Sequence, residues 1–256
     1  MKKDSKILLL FSSYSKKEKV EEIIKKKCLD FTEIDRENLF FEKLYVYLIE
    51  KSDLLKELEN IGISDIGFFA KGKRGLVYKG FFQDKSVIVK TKNPESKALG
   101  RIENEAKMLK RLNEYNIGPR LIFSGESYLI TEFIEGELFP YFIKNNNAQK
   151  IKPVLDEIFG QLQKLDELGI NKEEMHRPNK HLIIGETVVL LDFERAAHKK
   201  KTHNITQFIK YITSENIYSV LFEKGFNFEK EKAIQMAIDY RKGNLTADEI
   251  RNYINP

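Results

Sequence analysis

The chain has 256 residues, of which 41% are apolar and 32% charged, and its formal net charge is +5. That length allows one or two domains, and the apolar content offsets enough chain entropy to exclude a disordered chain. A single cysteine, Cys28, excludes an intrachain disulfide, and neither a signal-peptide core nor a bilayer-spanning stretch is present, so a cytoplasmic protein without a membrane partner is expected.

Taken in chain order, residues 1–62 read as a small α/β extension. Ile7–Phe11 is a strand candidate. Lys16–Lys27 is helical, with Val20, Ile23 and Ile24 on one face, and Ser52–Asn60 is a short helix on Leu54, Leu55 and Leu58. From Ile63 the pattern changes. Ile66–Ala70, a glycine turn at Lys71–Gly75, Leu76–Phe82 and Ser86–Lys90 read as successive strands. A helix follows Asn93–Pro94 and runs to about Asn113 on the stripe Leu99, Ile102, Ala106, Leu109 and Leu112. Leu121–Ser124 and Tyr128–Glu132 are two more strands. The second half is mostly helical, over Lys152–Leu168, Ile205–Ile212, Phe228–Lys242 and Asp248–Ile254. A hairpin, Leu182–Ile184 with Thr187–Leu191, interrupts it at a Gly185-Glu186 turn. The basic runs Lys25–Lys27 and Lys199–Lys201 read as solvated faces. An RNA or ribosome-associated partner is the alternative, but no aromatics are interleaved for base stacking.

Chemistry concentrates in three places. Gly72 and Gly75 flank a strand–turn–strand, where missing Cβ atoms let backbone amides approach phosphates. Lys90 ends an apolar strand, which makes it either a snorkelling lysine or a phosphate ligand held by a carboxylate. On the next helix Glu103 shares a face with lysines, whereas Glu105 sits on the apolar stripe. A buried carboxylate costs several kcal/mol unless paired, so Glu105 is the expected partner of Lys90. Asp192 follows the apolar strand Leu190-Leu191, where it either caps a turn or holds a divalent cation.

Together these segments resemble the protein-kinase superfamily. KGKRGLVYKG is similar to its glycine-rich loop, with Ala70 at the first glycine, and VIVK to its lysine strand. NEAKMLKRL is similar to the helix carrying the pairing glutamate, YLITEFIEGELF to the gatekeeper and hinge, and LLDFERA to the Asp-Phe-Gly segment, with Glu194 at the glycine. The resemblance covers about Ile63 to Ala197. It implies an α+β, two-lobed fold with a five-stranded antiparallel sheet and one helix over 63–134. A truncated, mostly helical lobe would follow over 135–256, after the extension 1–62. It further implies ATP and Mg2+ as cofactors. Gly72, Gly75, Val77, Ile88, Lys90, Thr131, Glu132 and Ile134 would lie at ATP, with Thr131 as gatekeeper.

The catalytic loop departs from the superfamily's Asp-x-x-x-x-Asn. Counting without gaps places Glu174 and Asn179 at those positions; matching the strand Leu182–Ile184 places His176 and His181 there. Glu174 or His176 would then handle the acceptor proton, and Asn179 or His181 would join Asp192 at the metal. The short C-terminal part resembles minimal atypical kinases such as the RIO group, the small kinase of the KEOPS complex and archaeal predicted Ser/Thr kinases. The implied activity is an atypical serine/threonine-protein kinase acting on a protein substrate or on itself. A nucleotide-binding scaffold without catalysis is the rival.

Overall fold

The computed structural model describes residues 10–11, 44–45, 53–71, 75–92 and 101–255. The helix expected over Lys16–Lys27, most of the strand at Ile7–Phe11, the cap at Asn93–Pro94 and Gly72 lie outside the described residues. The chain is α+β. It divides into two compact units, Met1–Lys97 and Ala98–Pro256.

In the first unit, β1 (Leu10–Phe11) pairs antiparallel with β2 (Leu44–Tyr45). Helix α1 (Asp53–Ile61) leads through Gly62 into a meander of β3 (Ile63–Lys71), β4 (Gly75–Phe82) and β5 (Lys85–Lys92). Both pairings in the meander are antiparallel. The sequence alternates accordingly: Val87 and Val89 are fully buried while Ile88 and Lys90 are half-buried on the opposite face.

The second unit opens with α2 (Arg101–Leu112), which packs on the hairpin of β6 (Leu121–Ser124) and β7 (Tyr128–Glu132). Of the expected stripe, Ile102, Ala106, Leu109 and Leu112 are buried, and so is Glu105, while Leu99 lies outside the described residues. A short strand β8 (Glu137–Leu138) then runs into α3 (Phe139–Asn145). The long α4 (Ala148–Glu167) starts four residues earlier than its apolar pattern suggests. The Asn147 side chain caps it by accepting from the Lys150 N–H, so Pro153 lies inside the helix. Strands β9 (Ile170–Asn171), β10 (Leu182–Ile184) and β11 (Val188–Leu190) follow, then β12 (Ala197–His198). Strand β10 lies between β11 and β8, and β9 pairs with β12. Helices α5 (Asn204–Ile212), α6 (Glu215–Glu223), α7 (Lys230–Arg241) and α8 (Ala247–Ile254) complete the unit. Thr246 and Glu249 form a capping box at the start of α8.

One large core runs from the end of α2 to α8, and a smaller cluster of Ile102, Ala106 and Leu129 lies between α2 and β7. Phe159 and Phe208 meet edge to face at 5.5 Å, and Phe139 and Tyr211 extend that aromatic cluster. Phe193, fully buried, belongs to the same core and anchors the segment after β11. Gly118 makes room for it. Its φ is +78°, and a Cβ there would lie 2.8 Å from Leu109 and 2.9 Å from Phe193. Gly118→Ala is expected to cost roughly 2–3 kcal/mol through combined strain and overpacking, read as a lower denaturant midpoint. Wild-type stability in that variant would contradict the packing.

Candidate functional site

The chemistry of the second unit converges on Asp192, the second residue beyond β11. Its φ is +65°, a left-handed conformation uncommon for a residue with a side chain. Contacts from Lys172, Asn104 and Glu105, with one inside the turn itself, fix the segment it begins. The fully buried Lys172 donates from Nζ to the Asp192 carbonyl at 3.1 Å, and its ammonium lies 5.2 Å from the centre of the Phe193 ring. The Glu194 N–H donates to Asp192 Oδ1 at 3.4 Å. From α2, Asn104 donates to the carbonyls of Glu194 and Ala196 at 3.0 Å each. One position further on, Glu105 Oε1 accepts from the Phe193 N–H at 3.4 Å. Adjacent positions near the start of one helix thus grip residues 193–196.

The opposite wall is the loop after β9. Glu173 and Glu174 are both left-handed, with φ of +63° and +52°. Helix α5 pins the loop. Asn204, itself fully buried, accepts from the Lys172 N–H at 2.8 Å and donates to the Ile170 carbonyl and to Asp166, both at 2.7 Å. Gln207 accepts from the Met175 N–H at 3.0 Å, and Asn171 accepts from the His203 N–H at 2.7 Å. Lys199 bonds Glu173, and its ammonium holds that carboxyl below the usual range.

Glu174, His181 and Asp192 come together, each offering a ligand atom within 4.8 Å of the others. Glu174 Oε2 lies 3.7 Å from His181 Nδ1, and His181 Nε2 lies 4.0 Å from Asp192 Oδ2. The other Glu174 oxygen accepts from Arg195 at 2.9 Å, which pushes the Arg195 pKa further up. A second group shares Asp192: Glu105, Asp192 and Glu194 also meet within 4.8 Å. Glu105 and Glu194 are 5% and 6% exposed, so two of these three carboxyl groups are removed from water. Concentrated, partly buried negative charge of this kind suits a divalent cation, and carboxylate oxygens are the donors a hard ion prefers.

The structure takes one residue from each of the two registers expected for this loop. Glu174 and His181 face Asp192. Asn179 is exposed, and its Oδ1 accepts from the Tyr211 hydroxyl at 2.7 Å. His176 is exposed and belongs to neither group. Among the other candidates, Thr131 is buried, and the Glu132 carboxylate accepts from the Arg120 N–H at 2.8 Å, a contact that closes the β6–β7 hairpin. Ile134 is half-buried just beyond that strand. In the first unit, Lys90 pairs in register with Val77, and Ile88 with Lys79. A Cβ at Gly75 would lie 3.0 Å from the Thr91 carbonyl and 3.4 Å from the Lys90 side chain, so the bare glycine leaves Lys90 its room. Lys172 escaped sequence reasoning, since a lysine in a Lys/Glu-rich stretch reads as solvated.

His203, just ahead of α5, has its pKa lowered by burial first and by the nearby Arg241 and Lys199 charges second. A lowered histidine pKa means the unfolded chain binds the proton more readily. The associated stability is therefore full above about pH 6.5 and is lost as pH falls through the folded pKa. A proton-NMR titration of His203 is expected to give a midpoint below that of a free imidazole, and a higher midpoint would contradict the contact.

No family model matches the chain. An uncharacterized protein of Methanocaldococcus jannaschii is 28% identical over 96 residues, covering 38% of this chain and 83% of that protein. Among the described residues, no helix is long and apolar enough to cross a membrane.

Proposed function

We propose that the chain is an ATP-dependent phosphotransferase of the minimal atypical protein-kinase type, with a two-lobed kinase-like architecture and a divalent cation at Asp192. The observation that carries this reading is the meeting of Glu105, Glu174, His181 and Asp192 around one left-handed aspartate, from segments distant in sequence. Strain held at such a point is characteristic of sites where geometry matters more than stability. The kinase-like order of motifs supports the same reading.

In it, Lys90, Gly72 and Gly75 take the phosphate-binding roles that the resemblance implies for them, and Glu105 that of the pairing glutamate. Thr131, Glu132 and Ile134 border the adenine. Asp192 and His181 hold the cation, magnesium being the ion the resemblance implies. The cation supplies charge neutralisation at the phosphate oxygens. Glu174 keeps the loop charged and oriented at the acceptor side. The acceptor is a serine or threonine of a protein, either a partner or this chain. Release or transfer of the γ-phosphate by the purified chain, dependent on added divalent cation, tests the reading; its absence with every divalent ion sinks it.

A second reading, nucleotide binding without transfer, draws on three contacts. Both Glu174 oxygens face cationic or ring-nitrogen partners, and the Tyr211 hydroxyl occupies Asn179. ATP binding without any phosphate release would select it.

A further inference from the structure

We infer that His181 makes the cation site selective for Mn2+, or a first-row ion of that kind, over Mg2+; this rests on the proposed nucleotide site. Two independent arrangements lead there. One is the donor set. Asp192 offers oxygen, but the ligand atom facing Asp192 Oδ2 at 4.0 Å is a ring nitrogen, His181 Nε2. Mg2+ favours oxygen donors and its own waters, whereas imidazole nitrogen is a donor for first-row transition ions, of which Mn2+ is the one that also keeps to carboxylate oxygen.

The other arrangement is behind the ring. Glu174 Oε2 lies 3.7 Å from Nδ1, the other ring nitrogen. At that distance the two groups form an ion-pair contact; a carboxylate that closes the gap to a hydrogen bond would place the proton on Nδ1 and leave Nε2 with a lone pair for a metal. Arg195 holds the other Glu174 oxygen at 2.9 Å, and Glu174 lies next to the left-handed Glu173 that Lys199 binds. The carboxylate is thus steadied before any cation arrives. His181 itself directly precedes β10, and its carbonyl accepts from the Leu191 N–H at 2.8 Å, so its backbone is tied to the residue before Asp192. In this arrangement Glu174 is a positioning residue for the imidazole and not the proton acceptor of the reaction.

The test titrates the full chain with Mn2+ in the presence of ADP, following the free ion by its electron paramagnetic resonance signal, with Mg2+ as competitor. The bound ion is then probed for electron spin echo modulation from a directly coordinated nitrogen. Wild type is expected to show that modulation, and His181→Asn to lose it. His181→Asn is also expected to lower the Mn2+-over-Mg2+ preference about tenfold or more, and Glu174→Gln to weaken Mn2+ binding by about 10–100-fold. Mn2+ and Mg2+ preference unchanged in His181→Asn, or no nitrogen modulation in wild type, overturns the inference. If ADP still tightens cation binding in that case, the phosphotransferase reading stands. Nitrogen-coordinated Mn2+ whose binding ignores ADP supports the inference and removes the nucleotide site. No cation binding at all overturns both.

Discussion

Asp192→Asn and Asp192→Ala are expected to abolish cation-dependent ATP turnover, by about 10³-fold or more, since a metal-held phosphate commonly accounts for several kcal/mol of transition-state stabilisation. The two substitutions separate chemistry from folding. Asparagine tolerates the left-handed conformation at φ +65° and keeps an Oδ1 to accept from the Glu194 N–H. It removes only the charge. Alanine also removes that acceptor and strains the backbone. If the aspartate serves the cation, both variants lose turnover, while asparagine keeps the wild-type thermal transition. Turnover retained in Asp192→Asn would mean that the acid merely shapes the turn.

The largest effect on stability is expected at Asn204→Ala. This one amide satisfies three groups: the Lys172 N–H, the Ile170 carbonyl and Asp166. Ile170 and Lys172 are buried, so neither can turn to water once the amide is gone. Each buried group left unsatisfied costs about 1–3 kcal/mol. Asp166 retains the Tyr240 hydroxyl at 3.1 Å and is less affected. The sum over the two is roughly 2–6 kcal/mol, which lowers the second unit's melting temperature by roughly 4–24 °C. Because the same amide pins the loop carrying Glu174, Mn2+ affinity is expected to fall as well. A variant within a degree of wild type would show that the loop is held elsewhere.

Periodicity made most of this architecture readable. The α2 stripe placed Glu105 on the buried face from spacing alone, because a helix repeats every 3.6 residues whatever surrounds it. The alternation at Val87 and Val89 did the same for β5. The loop from Lys172 to His181 was not readable in that way. Left-handed Glu173 and Glu174 break any uniform rise per residue, so neither counting forward nor counting back finds both site members. Lys172 was hidden because its burial depends on the Asp192 carbonyl and the Phe193 ring, about twenty residues away. Helices α3 and α6 went unpredicted. Neither has a side-chain cap at its N-terminus, and each buries only two side chains, so little in the local pattern announces them.

The backbone at Asp192 has a consequence for how this protein could change. For folding alone, glycine is the natural residue at φ +65°, and an aspartate there forgoes up to about 1 kcal/mol of stability. A screen that rewards thermal stability alone would therefore favour Asp192→Gly. It would deliver a sturdier chain with an empty centre. Selection for heat resistance and selection for activity pull this residue in opposite directions, so position 192 reports which of the two a laboratory lineage has experienced.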